Sequence, residues 1–186
     1  MFLITWVLLC VIGRLLPHVP NVTPLIGLCL FVSTKLPRRL AMCCTMGALA
    51  FSDAGLAYIQ GHAIFSSWSW FTYSGCLIVL LIGNCFHLNR KGLLGALACV
   101  TSASLFYWFW TNFGVWCEGL MYPVTLGGLT AAYYAALPFL RNELIGDFLW
   151  YGVIFYGFFI LEKPLSLCES GETGRRAGFR FQWGNL

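Results

Sequence analysis

The sequence predicts an all-α membrane protein, a six-transmembrane-helix bundle with one additional short helix that does not span. Three observations carry that expectation. Of the 186 residues, 59% are hydrophobic and only 10% are charged, against roughly 25% charged in an average soluble domain. The apolar residues fall into runs broken by Pro, Gly, Asn or charge. The basic residues stand at the ends of those runs, so the net charge of +4 fits membrane orientation better than nucleic-acid binding.

In order, the runs cover residues 1–16, 23–33, 40–58, 70–86, 93–110, 126–137 and 144–161. A bilayer core about 30 Å thick needs roughly 20 apolar residues per helix, so a chain of 186 residues holds about six or seven crossings and no separate soluble domain. The first run lacks the basic start and small-residue cleavage site of a removable signal, and reads as the first span. The run 23–33 reaches across if its helix continues to Lys35. The run 126–137 gives only about 18 Å at 1.5 Å per residue, which predicts a half-spanning or re-entrant helix. The last crossing then starts near residue 144, with Asn142 placed to cap it. This assigns 1–162 to the bundle and 163–186 to a flexible cytoplasmic tail.

Charge decides between six and seven crossings. Lys35, Arg38 and Arg39, together with Arg90 and Lys91, mark one side, taken as cytoplasmic. If 126–137 does not cross, Lys163, Arg175, Arg176 and Arg180 join them, and only Arg14 and Arg141 remain outside. The expectation is an integral protein of a bacterial inner membrane with both termini cytoplasmic. Of the nine cysteines, Cys10, Cys29, Cys43, Cys44, Cys76, Cys85 and Cys99 lie inside apolar runs without CxxC spacing, and read as buried small hydrophobes.

Polar groups near hydrocarbon are costly, so each is a functional candidate to be weighed against plain capping. The six-crossing topology brings Asn21, Asp53, Trp68, Asn112, Trp116 and Asp147 to one outer mouth. Asp53 ends a long apolar run with no basic residue within a helical turn. It is either a ligand carboxylate or a group resting among lipid headgroups. Asp147 is either a ligand or a carboxylate favoured by the dipole of a helix start. The aromatic segment 106–116 is either an interfacial belt or, through Asn112 and Trp116 one turn apart, a seat for a flat heterocycle. His18 and His62 lack a spaced third ligand, so no metal is expected. There is no HExxH, GxSxG or Walker loop, and neither an enzyme nor a bound cofactor is predicted.

The stretches PHVPNVTPLIGLCLFVSTKLPRRLAM, GALAFSDAGL and ALPFLRNELIGDFLW resemble the substrate-binding (S) components of energy-coupling-factor vitamin transporters. PNVTP, TNFGVW and YPVTLGGLTAAYYAALPFLRNELIGD resemble more closely an uncharacterised family of small bacterial membrane proteins related to those components. The resemblance implies a six-helix bundle with a ligand pocket under the outer loops, in which Asp147 matches the acidic position of the Gly-Asp motif. Phe148-Leu149-Trp150 replaces the lysine that follows this motif in biotin binders, and the first helix lacks the Ala-xxx-Ala face by which many S components dock their coupling partner. The chain begins Met-Phe where the metal-specific members begin Met-His.

Two functions follow as expectations. The first is the substrate-capture subunit of a vitamin or small-metabolite uptake transporter. It would bind its solute through the six residues named above, and a transmembrane coupling protein with ATPase subunits would energise it. The second is a membrane scaffold or assembly factor that packs its aromatic faces and the small-residue stripe Gly127, Ala131, Ala135 against lipid or a partner.

Overall fold

A computed structural model describes residues 2–16, 19–61, 63–89 and 92–169. They form six helices: α1 (Phe2–Leu15), α2 (Leu25–Lys35), α3 (Arg38–Gln60), α4 (Ser69–Asn89), α5 (Leu93–Cys117) and α6 (Leu126–Glu169). No strand occurs among the described residues. Of these helices, α3 with 23 residues and α5 with 25 are long and apolar enough to cross a membrane.

The arrangement is built around α2. Its sequence, LIGLCLFVSTK, is apolar on every face, and a helix of that kind is stable only when surrounded. It touches all five other helices, and residues Leu25 to Ser33 are all buried. Gly27 lets it press on α6, since a Cβ there would lie 3.2 Å from the Tyr151 backbone nitrogen. One turn on, Phe31 stands edge-on to Phe155 and Phe158 at 5.5 and 5.1 Å. Lys35 at the C-terminus rests over the Phe158 ring at 4.2 Å. Eleven residues make only about 16 Å of helix, so the neighbouring helices run on beyond the start of α2.

The sequence reading differs from the structure at α6. Residues 126–137 are not a separate short helix, because α6 runs unbroken from Leu126 to Glu169. Pro138 removes one backbone donor and ordinarily interrupts a helix. Here the segment is held from both sides by α5: Trp108 Nε1 donates to the Ala136 carbonyl at 3.1 Å, and the Tyr133 hydroxyl donates to the Phe109 carbonyl at 2.9 Å. Ala132 and Ala136 are buried on the same flank. Asn142 is therefore inside a helix and caps nothing. The helix also continues past residue 162, and residues 170–186 of the expected tail lie outside the described residues.

Close contact between α4 and α5 likewise needs small residues. Ser74 accepts from Trp110 Nε1 at 2.9 Å, and Gly114 receives the Phe71 ring, leaving a Cβ there only 2.9 Å from the Phe71 Cβ. Gly114→Ala is expected to lower stability by about 1–3 kcal/mol through overpacking. Gly47→Ala, where nothing lies within 4 Å, is expected to leave it unchanged or slightly higher. Reversible unfolding in mixed detergent micelles measures both.

Candidate functional site

Where α1 ends and α2 has yet to begin, polar side chains turn inward. Arg14, in the last turn of α1, donates through Nη1 to Asp53 Oδ1 and to Ser52 Oγ, each at 2.5 Å. The Tyr73 hydroxyl of α4 donates to the other oxygen, Asp53 Oδ2, at 2.9 Å. Ser52 passes its own proton to the Leu49 carbonyl at 2.9 Å. One carboxylate thus ties three helices together. The Arg14 and Asp53 side chains are 15% and 14% exposed, so each charge has largely lost its water and depends on the other.

Beside this pair lies a cavity of about 360 Å³ between the end of α3 and the start of α4, inside the roughly 300–1,000 Å³ range of small-molecule sites. Arg14, Asp53, Gln60, Trp68, Ser69 and Thr72 line it with apolar neighbours. Thr72 is 4% exposed and its hydroxyl has no partner, an unmet group that a bound solute would satisfy. The mouth is shaped by Gly61, which ends α3 in the left-handed region at φ 70°, and by Ser69, whose Oγ accepts from the Ser66 backbone N–H at 3.0 Å. Ser67 bonds Glu118, joining this connection to the end of α5.

A second polar cluster lies across α2. The connection from α1 to α2 holds Asn21 at φ 65° and sets Val22 on Gly146, where a Cβ would come within 2.9 Å of the Val22 Cα. Asn21 Nδ2 reaches Glu143 Oε2 at 3.5 Å. One turn further along α6, Asp147 Oδ2 lies 2.6 Å from Ser104 Oγ, which also stands 2.9 Å from the Val100 carbonyl. Glu143, Asp147 and Ser104 are 6%, 1% and 0% exposed. Tyr107 of α5 packs against Gly75 of α4.

Of the residues named from sequence, Asp53 and Trp68 share the cavity, while Asn21 and Asp147 belong to the second cluster. Asn112 and Trp116 line neither. The Asn112 amide donates to the Trp108 carbonyl of its own helix at 2.7 Å, and the Trp116 indole donates to the Thr125 carbonyl at 3.1 Å, closing the α5–α6 turn. Asp147 is not at a helix start, since α6 begins at Leu126; the dipole and capping argument for it does not apply. Sequence reasoning missed Arg14, Thr72 and Ser104 as members of these sites, and placed Glu143 at the outer mouth without naming it a binding residue. The signal for Arg14 was present, because it is one of two basic residues that the charge rule leaves on the wrong side. No group of three or more His, Cys, Asp or Glu that could hold a metal occurs among the described residues, and His18 and His62 lie outside them.

Residues 1–168, which include every residue of both clusters, match the sequence model of a family of unknown function, DUF6580. The chain belongs to this family. No curated protein and no solved structure matches it.

In this DUF6580 chain, Arg14→Ala leaves the Asp53 carboxylate largely buried without its cation. The expected loss is about 3 kcal/mol, and the pair Arg14→Ala with Asp53→Ala is expected to lose less than the sum of the two single changes. A double-mutant cycle of unfolding free energies in mixed micelles measures the coupling.

Proposed function

We propose that this chain is the membrane-embedded capture subunit of an uptake transporter for a vitamin-like or other small heterocyclic metabolite. The observation that carries the reading is the cavity of about 360 Å³ at Asp53 and Trp68. Its charges are already matched within Arg14 and Asp53, so the solute it suits has no net charge to neutralise. Hydrogen-bonding edges would meet Thr72 and Ser69, and a flat face would meet Trp68.

The bundle crosses the membrane six times with both termini cytoplasmic. Support comes from the outward faces, where Phe51, Trp70, Leu94, Tyr134 and Tyr156 are 68% to 80% exposed, a surface suited to an apolar solvent. Residues 126–137 belong to one continuous α6, which removes the separate seventh segment and leaves the charge count in favour of six. The chain leads into the short α2 through residues 19–24, of which Val22 packs on Gly146 of α6 while Val19, Pro20 and Asn21 stay exposed at the outer end. With the basic turn at Lys35, Arg38 and Arg39 inside, the cavity lies at the outer face, where a capture subunit takes its solute. The membrane is a bacterial inner membrane. No reaction is assigned to the chain; movement of the solute inward depends on a coupling protein with ATPase subunits.

The scaffold reading retains one observation of its own. Gly127, Ala131 and Ala135 stay exposed on α6, an open small-residue face for another helix.

Full-length protein extracted in lipid-containing nanodiscs is expected to carry a small solute detectable by mass spectrometry. Trp68→Ala and Thr72→Val should each lower its retention by about tenfold, equivalent to about 1.4 kcal/mol, without loss of the folded state. Equal retention in both variants, or a co-purified helical protein and no solute, would overturn the capture reading.

A further inference from the structure

We propose that Glu143, Asp147, Ser104 and Asn21 form a site for a single monovalent cation of the sodium class, apart from the cavity at Trp68. Glu143 and Asp147 stand one helical turn apart on α6 and are 6% and 1% exposed. Two carboxyls so placed and so dry do not both hold charge without a positive partner. Neither forms an ion pair among the described residues, and Arg14 is committed to Asp53 and Ser52. The protein offers them only neutral groups. Ser104 has one proton to give and two acceptors in reach, Asp147 Oδ2 at 2.6 Å and the Val100 carbonyl at 2.9 Å. Asn21 reaches Glu143 Oε2 at 3.5 Å, the outer limit of a hydrogen bond. The other Glu143 oxygen, Oε1, is buried and has no partner at all, a state that carries the full cost of lost hydration.

The chemistry of the donors selects the ion. Two carboxyls and a hydroxyl present oxygen, and the Asn21 side chain, whose Nδ2 faces Glu143 Oε2, brings its carbonyl oxygen inward on turning over; oxygen donors suit a hard cation rather than a transition metal. Calcium takes about six to eight oxygens, and magnesium keeps several of its waters; residues this buried offer neither. With one of the two carboxyls protonated the pair carries a single negative charge, which one monovalent ion balances. The cavity at Trp68 includes none of these four residues, so ion and solute occupy different places. Asn21 alone of the four is exposed, and the ion enters past it. Because Val22 already sits on Gly146, an ion drawn between Asn21 and Glu143 fastens the α1–α2 connection to α6. The site stands whether or not the cavity takes a solute.

The test uses the full-length protein in detergent at constant ionic strength, with N-methyl-glucamine chloride replaced stepwise by sodium chloride. Two readouts are followed: the thermal midpoint from tryptophan fluorescence, and radioactive sodium bound at equilibrium dialysis. The wild type is expected to bind about one sodium per chain and to gain about 5 °C at saturation. Glu143→Gln and Asp147→Asn should lose both responses, and Ser104→Ala should weaken binding severalfold. If Asp147→Asn fails to fold, Glu143→Gln, which keeps the size of the side chain, decides. Absence of bound sodium with an unchanged midpoint would overturn the proposal and leave a proton-sharing acid pair. Wild-type sodium binding by Glu143→Gln, or saturation by calcium in place of sodium, would overturn it equally.

Discussion

The fold depends on the burial of α2, which meets all five other helices. With Leu25 to Ser33 enclosed, the chain must supply apolar neighbours on all sides. Gly27 toward α6 and Gly83 toward Ser33 set how near those neighbours come. Apolar burial is worth roughly 25 cal/mol per Å², and Phe31, Leu28, Ile26 and Leu30 are among the largest fully buried side chains in the protein. A central helix about 16 Å long fills only part of the interior that its longer neighbours enclose. The polar side chains stand before its first turn.

That geometry explains why the two polar clusters are built differently. At the α1–α3–α4 junction a charged pair is closed on itself, with Arg14 and Tyr73 satisfying Asp53. The free capacity there belongs to neutral groups such as Thr72 and to an aromatic wall. At the α5–α6 junction the two carboxyls meet only the neutral groups of Asn21 and Ser104, and the unmet oxygen is on Glu143. The first arrangement suits a solute without net charge. The second suits a cation. Proteins tolerate buried acids where a partner or a ligand meets them, and the contrast between the two junctions separates these cases within one fold.

Much of this was legible in the sequence, and the losses have physical causes. The all-α character and the helix-forming runs followed from apolar run length and from the breakers between them. Asp53, Trp68, Asn21 and Asp147 stood out as polar groups beside hydrocarbon. The run 126–137 ends at its last apolar residue, whereas the helix continues through Pro138 and Trp108 and Tyr133 hold that stretch from the side. Asp53 looked solitary for the same reason: its cation, Arg14, is 39 residues away in sequence. Asn112 and Trp116 share a face, as their spacing requires. Spacing cannot say what that face meets, and here backbone carbonyls had already taken both donors.

The central claim is that the bundle keeps a polar space for a small molecule beyond the start of α2. An experimental density map of the full-length protein in its native lipid tests this most directly. The account predicts the Arg14–Asp53 contact intact and compact density, too short for an acyl chain, between Trp68 and Thr72. A cavity opened sideways and filled by a lipid tail, or closed by α3 lying directly on α4, would contradict it.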